Sequence, residues 1–161
     1  MPTKNVREEG YDQVLWTDSK ENKYTEESGM MNAMFVIGDT LVTPPLSDSI
    51  LDGVTRDSLL ILAKDLGYKT EERQVSIEEL KNAFKNKTIT EAFGAGTAAL
   101  VAPISTINIQ GTDFHLPAYN AGNIFTRLIL HISRLLGAHQ NFSQQHLQLR
   151  ICFKISLLNI L

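Results

Sequence analysis

Thr90-Glu91-Ala92-Phe93-Gly94-Ala95-Gly96-Thr97-Ala98-Ala99 is the stretch that decides how this chain is read. A β-prone run, Ile89 to Phe93, leads into it, and the apolar run Leu100-Val101-Ala102-Pro103-Ile104 leads away. Gly94 and Gly96 are expected to let the backbone turn sharply and come close to a ligand. Thr97 adds a hydroxyl and an amide N–H directly after the second glycine, and Ala98 and Ala99 keep the space above the turn clear. Small residues and free amides between two strands suit a phosphate or carboxylate. A strand–turn–strand corner that uses glycine for geometry alone accounts for the same residues, because short glycine patterns recur by chance.

The composition bounds what surrounds this stretch. The chain has 161 residues, which fits about one domain or one domain plus part of another. It is 43% hydrophobic and 20% charged, the balance of a globular chain with a real core. The net charge of −3 provides no electrostatic footprint for nucleic acid or an anionic membrane. Cys152 is the only cysteine, which excludes an internal disulfide and a cysteine-rich zinc site. A reducing compartment, the cytoplasm, is the natural expectation. Met1 to Gly10 contains no apolar core of a secretory leader. The apolar tail Ile151 to Leu161 is too short to span a bilayer and is interrupted by Lys154. His115, His131, His139 and His146 show no metal-ligand spacing, so no metal site is expected.

A second informative stretch is Leu51-Asp52-Gly53-Val54-Thr55-Arg56-Asp57. A glycine turn opens a helix with Leu59, Leu60, Leu62, Ala63 and Leu66 on its apolar side and Gly67 at its stop. The N–H groups near Val54 and Thr55 have no partner at such a start, and the helix dipole favours an anion there. An ordinary amphipathic helix preceded by glycine has the same pattern. Elsewhere, a polar helix closes at Gly10, and Tyr11 to Trp16 and Met31 to Ile37 read as strands. Gly38-Asp39 and Gln110-Gly111 read as hairpin turns, and Lys69 to Val75 as an exposed strand. Ser76 and Glu79 form a capping-box pattern, and Asn123 is placed to cap a last amphipathic helix ended by Gly137. Glu71-Glu72 and the Lys81, Lys85, Lys87 series read as solvated faces. Strands and helices mix without strict alternation, which predicts an α+β, mixed-sheet fold.

Several stretches together resemble the C-terminal part of a branched-chain amino-acid aminotransferase, a class IV (fold type IV) pyridoxal-phosphate enzyme. They are Gly10-Tyr11-Asp12-Gln13-Val14-Leu15-Trp16, Leu41-Val42-Thr43-Pro44-Pro45-Leu46, Ile50-Leu51-Asp52-Gly53-Val54-Thr55-Arg56-Asp57, Glu71-Glu72-Arg73 and Glu91-Ala92-Phe93-Gly94-Ala95-Gly96-Thr97-Ala98. D-amino-acid aminotransferases and aminodeoxychorismate lyases share parts of the pattern. The tyrosine-to-tryptophan strand and the Thr-Pro-Pro turn favour the branched-chain group. The resemblance implies a pseudo-barrel large domain over residues 1–137, lacking the small N-terminal domain, and an atypical tail over 138–161. It implies pyridoxal 5′-phosphate as cofactor, and leucine, isoleucine or valine with 2-oxoglutarate as substrates of the full-length enzyme, a homodimer. Glu27 falls where the family acid faces the pyridine nitrogen and keeps it protonated. Val54, Thr55 and Thr97 fall on the phosphate contacts, and Ala98 on the turn that helps hold the substrate carboxylate.

Departures from the family pattern are as informative. Met30 stands where a threonine is usual after Gly29, Met34 where an aromatic is common, and Ala99 and Ala102 where some relatives carry paired cysteines. The family's Schiff-base lysine falls before the helix that this chain enters at Pro2. Lys4 aligns downstream of it, and Lys20 and Lys23 fall in a polar turn, so no lysine here is expected to serve. The alternative expectation is therefore a non-catalytic phosphate-binding or dimerisation module. From Leu147 to Ile155 large apolar residues fall on every second position, which predicts an unpaired, aggregation-prone edge. Open apolar surface is also expected beside Met31 to Val36 and Leu100 to Ile104.

Overall fold

The apolar runs Met31–Ile37 (β3) and Ile89–Gly96 (β6) pair antiparallel at the centre of the molecule, Asn32 opposite Ala95 and Met34 opposite Phe93. They belong to a computed structural model that describes residues 6–96, 100–135 and 153–158. Successive side chains of a strand leave opposite faces. Ala33 and Phe35 therefore enter one core and Met34 and Val36 the other, and β3 is buried on both sides.

Around this pair lie β1 (Gln13–Thr17), β2 (Thr25–Ser28), β4 (Thr40–Thr43), β5 (Lys69–Glu72), β7 (Leu100–Ile109), β8 (Thr112–His115) and β9 (Phe153–Leu158). Among the described residues, residues 6–8 are helical, and the longer helices are α1 (Val54–Asp65), α2 (Ile77–Lys85) and α3 (Ile124–Leu135). The sheet runs β2-β1-β9-β7-β6-β3-β4-β5, with β8 beside β7. A further pairing of β2 with β3 closes β2, β1, β9, β7, β6 and β3 into a ring. This is the α+β mixed sheet with barrel-like closure. One core joins residues of β1, β3, β6, β7 and β9 to Leu80 and Ala83 of α2. The second lies under α1 and α3, where Leu59, Leu60, Phe125 and Leu128 meet Met34 and Phe93. Among the described residues no helix is long and apolar enough to cross a membrane.

Local signals account for much of the connectivity. Gln110 and Gly111 both take positive φ, 54° and 81°, the conformation of a two-residue hairpin turn, and β7 and β8 pair across it from Ile109–Thr112 to Thr106–His115. Asp18 organises the β1–β2 connection: Oδ1 accepts the N–H groups of Lys23 (2.8 Å) and Tyr24 (2.7 Å), and Oδ2 that of Glu21 (2.7 Å). Burial pushes the Asp18 carboxyl up, but the backbone donors outweigh it and hold it below its ordinary value. Ser76 Oγ accepts the Glu79 N–H at 3.0 Å, whereas the Glu79 carboxylate turns to Arg73 at 2.7 Å, so only half of the reciprocal box forms. Glu71 and Glu72 are not simply a solvated face, since each pairs with an arginine, Arg73 and Arg56 respectively.

Three expectations are corrected. Gly94 and Gly96 lie within β6 and make no sharp turn. A Cβ on Gly94 would sit 2.8 Å from Met31 Cε, and one on Gly96 3.0 Å from Met31 Cγ, so the close approach that glycine permits is that of a side chain on β3. Asn123 precedes α3, but its side chain accepts the Asn120 N–H. The cap comes from Glu91, 3% exposed on β6, whose two oxygens accept the N–H groups of Ile124 (2.9 Å) and Phe125 (2.8 Å). The apolar tail is not an unpaired edge at residues 153–158. β9 pairs in parallel with β1 on one side and β7 on the other, with Ile155 and Leu157 in the core; residues 147–152 lie outside the described residues. Met34, Phe35, Val36, Val101 and Ile104 are likewise buried within the chain.

Replacing Glu91 by alanine leaves two buried helix-start N–H groups unpaired. The Glu91→Ala chain should lose about 2–3 kcal/mol of stability, read as a lowered urea midpoint at unchanged slope. Gly94→Ala should cost about 1–3 kcal/mol through overpacking against Met31, and much less in a Met31→Ala background. A double-mutant cycle showing no coupling between the two positions would refute that packing. Because the native Asp18 carboxyl is lowered from 3.8, its contribution is fully present above that pH and lost as pH falls through the native value. Asp18→Asn should therefore flatten the acid limb of the stability profile, measured by urea melts across pH.

Candidate functional site

Glu27 sits on β2 opposite Asn32 of β3. Its Oε1 accepts the N–H of Leu51 at 2.8 Å and Nδ2 of Asn32 at 3.3 Å. The same Nδ2 donates to the Leu51 carbonyl at 2.8 Å. An acid, a buried amide and a loop thus hold one another, and Asn32 is only 4% exposed. Oε2 of Glu27 makes no hydrogen bond among the described residues. The neighbouring Glu26 also reaches the chain before this loop and accepts Ser49 Oγ–H at 2.6 Å.

Gly53, two residues beyond Leu51, is the N-cap of α1. A Cβ there would run into Asn32 Oδ1, so glycine is required for the loop to lie against the amide. Among the described residues no side chain caps α1, and its first backbone bond is from Asp57 N–H to Gly53 O at 3.0 Å. The N–H groups of Val54 and Thr55 precede that bond, at the positive end of the helix dipole. The helix start is pinned from below by Arg56, 2% exposed, whose Nη2 donates to Pro44 O (3.0 Å) and to Glu72 Oε2 (2.8 Å). This pinning role was not read from the sequence. Its partners are 12 and 16 residues away, and only the nearness of Glu71-Glu72 could have hinted at it.

The loop 51–53 therefore joins Glu27 to the start of α1. The end of β6 lies beside the same hairpin, because Met31 packs over Gly94 and Gly96. Thr97 and Ala98 follow directly in sequence and lie outside the described residues. Around the assembly, Met30, Leu51 and Val54 expose large apolar side chains, 91%, 69% and 79% accessible. Chemically the site offers one oriented carboxylate and a set of backbone donors suited to an anion.

Comparison with known proteins bears on what such a site serves. Residues 1–107 match the family model for amino-transferase class IV. A probable branched-chain-amino-acid aminotransferase of Staphylococcus epidermidis is 48% identical over 124 residues, 77% of this chain and 35% of that protein. A crystal structure of a branched-chain aminotransferase from Thermoproteus uzoniensis with norvaline superposes with TM-score 0.66 at 30% identity, over 87% of this chain and 42% of the other. One from Thermobaculum terrenum in its PLP form superposes with TM-score 0.67 at 27% identity, over 88% of this chain and 43% of the other. The chain thus spans about a third of the length of the curated relative it matches. Since the matched residues carry β1 to β6, α1 and α2 and contain Glu27 and the start of α1, the chain belongs to the class IV aminotransferase family.

Proposed function

We propose that this chain is the cofactor-binding part of a branched-chain amino-acid transaminase. The full-length enzyme would move the amino group of leucine, isoleucine or valine to 2-oxoglutarate, yielding the branched 2-oxo acid and glutamate. The observation that carries this reading is the Glu27–Asn32–Leu51 triangle leading through Gly53 into the uncapped start of α1.

The residues present fit pyridoxal 5′-phosphate. When bound, this group supplies a protonated pyridine ring that accepts the electrons released as the amino acid loses its α-proton. Glu27 would keep the proton at the ring nitrogen: Leu51 and Asn32 orient its Oε1, which leaves Oε2 available as an acceptor. Val54 and Thr55 bind the phosphate through backbone N–H groups, aided by the dipole of α1. Thr97 adds a second phosphate contact, and Ala98 helps hold the substrate carboxylate. Arg56 keeps the helix start in place. The exposed side chains of Met30, Leu51 and Val54 support a site that is covered in a full-length homodimer and excludes water there. A single cysteine fits the cytoplasm.

A second reading, a binding module without transamination, is supported by the partners of three described lysines: Lys69 pairs with Asp39, Lys81 with Gln110, and Lys23 lies over the Tyr24 ring. A stable absorbance band with bound pyridoxal phosphate, lost on borohydride reduction with the label confined to one lysine, would speak against this module.

The test of the ring-nitrogen and phosphate roles is titration of the chain with pyridoxal 5′-phosphate, followed by absorbance and fluorescence. Glu27→Gln keeps an oxygen for the Leu51 N–H but removes the charge. It should weaken binding by about tenfold or more, the scale of a hydrogen bond to a charged group. Inorganic phosphate should compete. Equal affinity of wild type and Glu27→Gln would remove Glu27 from the site.

A further inference from the structure

The ring closes through a strand that lies beyond the family-matched part of the chain. The match ends at residue 107, inside β7, whereas β9 spans Phe153–Leu158. β9 stands between β1 and β7 and runs parallel to both, with Ile155 opposite Gln13 and Ile107, and Leu157 opposite Leu15. Parallel neighbours cannot be joined by a tight hairpin, so β9 reaches its place as a separate extended segment.

What holds it there is mostly backbone. Asp12 N–H donates to Lys154 O at 2.7 Å, and Asp12 Oδ2 accepts the Lys154 N–H at 2.8 Å, clamping the point of entry. Beyond the clamp, β9 pairs with both flanking strands. Its side chains are buried on both faces, since Ser156 is only 7% exposed and asks for a small residue there. Ile155, fully buried, and Leu157, 8% exposed, join Leu15 and Ile107 in the core, while Lys154 is exposed.

We infer that the gap between β1 and β7 is a strand-acceptor groove. It selects an extended segment parallel to both edges, with large apolar residues at two alternate positions and a small residue between them. The segment 153–158 is its one occupant, held by contacts that a detached copy of that segment can also make. Recognition by backbone edges and two apolar side chains does not require covalent continuity with the rest of the chain.

The test uses the full chain carrying Ile155→Asp and an acetylated peptide of residues 153–158. Hydrogen exchange should show protection at 13–17 and 104–109 falling by about tenfold or more in the variant, as a paired edge becomes an open one. Peptide added during refolding from urea should restore that protection and a cooperative melt, even where the variant alone does not fold. A peptide with aspartate in place of Ile155 and Leu157 should not. The milder Ile155→Ala chain should show the same rescue with a smaller loss. Unchanged protection in Ile155→Asp, or failure of the peptide to rescue either variant, would overturn the inference.

Discussion

The buried amide of Asn32 is the constraint on which the candidate site depends. Its position is set by β3–β6 pairing, which places Asn32 opposite Ala95, and by the hairpin that sets it opposite Glu27. From there Nδ2 holds both Glu27 and Leu51, and Oδ1 lies where a Cβ on Gly53 would fall. A buried amide with satisfied partners fixes geometry because losing one partner costs the desolvation of the group left behind. Asn32 thus converts the register of two central strands into the position of a loop and, through it, of a helix start.

The same strands organise a second helix start on the same face of the sheet. Glu91 lies on β6 opposite Val36 and reaches the start of α3, so one strand carries both the cap of α3 and the glycines under Met31. A carboxylate at a helix N-terminus gains from the dipole as well as from its two hydrogen bonds. Its burial is tolerable because both oxygens are satisfied. The ring then couples these features to β1 and β2 through β9 on one side and the short β2–β3 pairing on the other.

Much of this was legible in the sequence wherever the cause is local. The hairpin turn at Gln110-Gly111, the Ser76 cap and the apolar side of α1 at Leu59, Leu60 and Ala63 depend on neighbours a few residues away. The errors share a different cause. Asn123 has the residue type of a cap, but the donors of α3 are taken by a glutamate 33 residues earlier in the chain. Gly94 and Gly96 have the composition of a turn, but the reason for them is Met31 on the adjacent strand. The tail showed its strand period, which says which residues share a face but not which edges they join. In the proposed site, Glu27, Val54 and Thr55 are expectations from the resemblance; the amide and guanidinium beside them were not expected, because Asn32 and Arg56 act across 19 and 16 residues.

Under the proposed roles, the acid and the phosphate donors are not independent features that happen to converge. The Leu51 N–H that orients Glu27 and the Val54 N–H at the helix start are three residues apart in one loop. An anion drawn to the helix start would order the loop, and an ordered loop holds the carboxylate. The converse also follows: a change that loosens Asn32 or crowds Gly53 disturbs both ends together. Preorganisation of this kind depends on supporting groups that touch no ligand. Here they are a buried amide and a buried guanidinium, placed by the central strands and by the β4–β5 edge of the sheet.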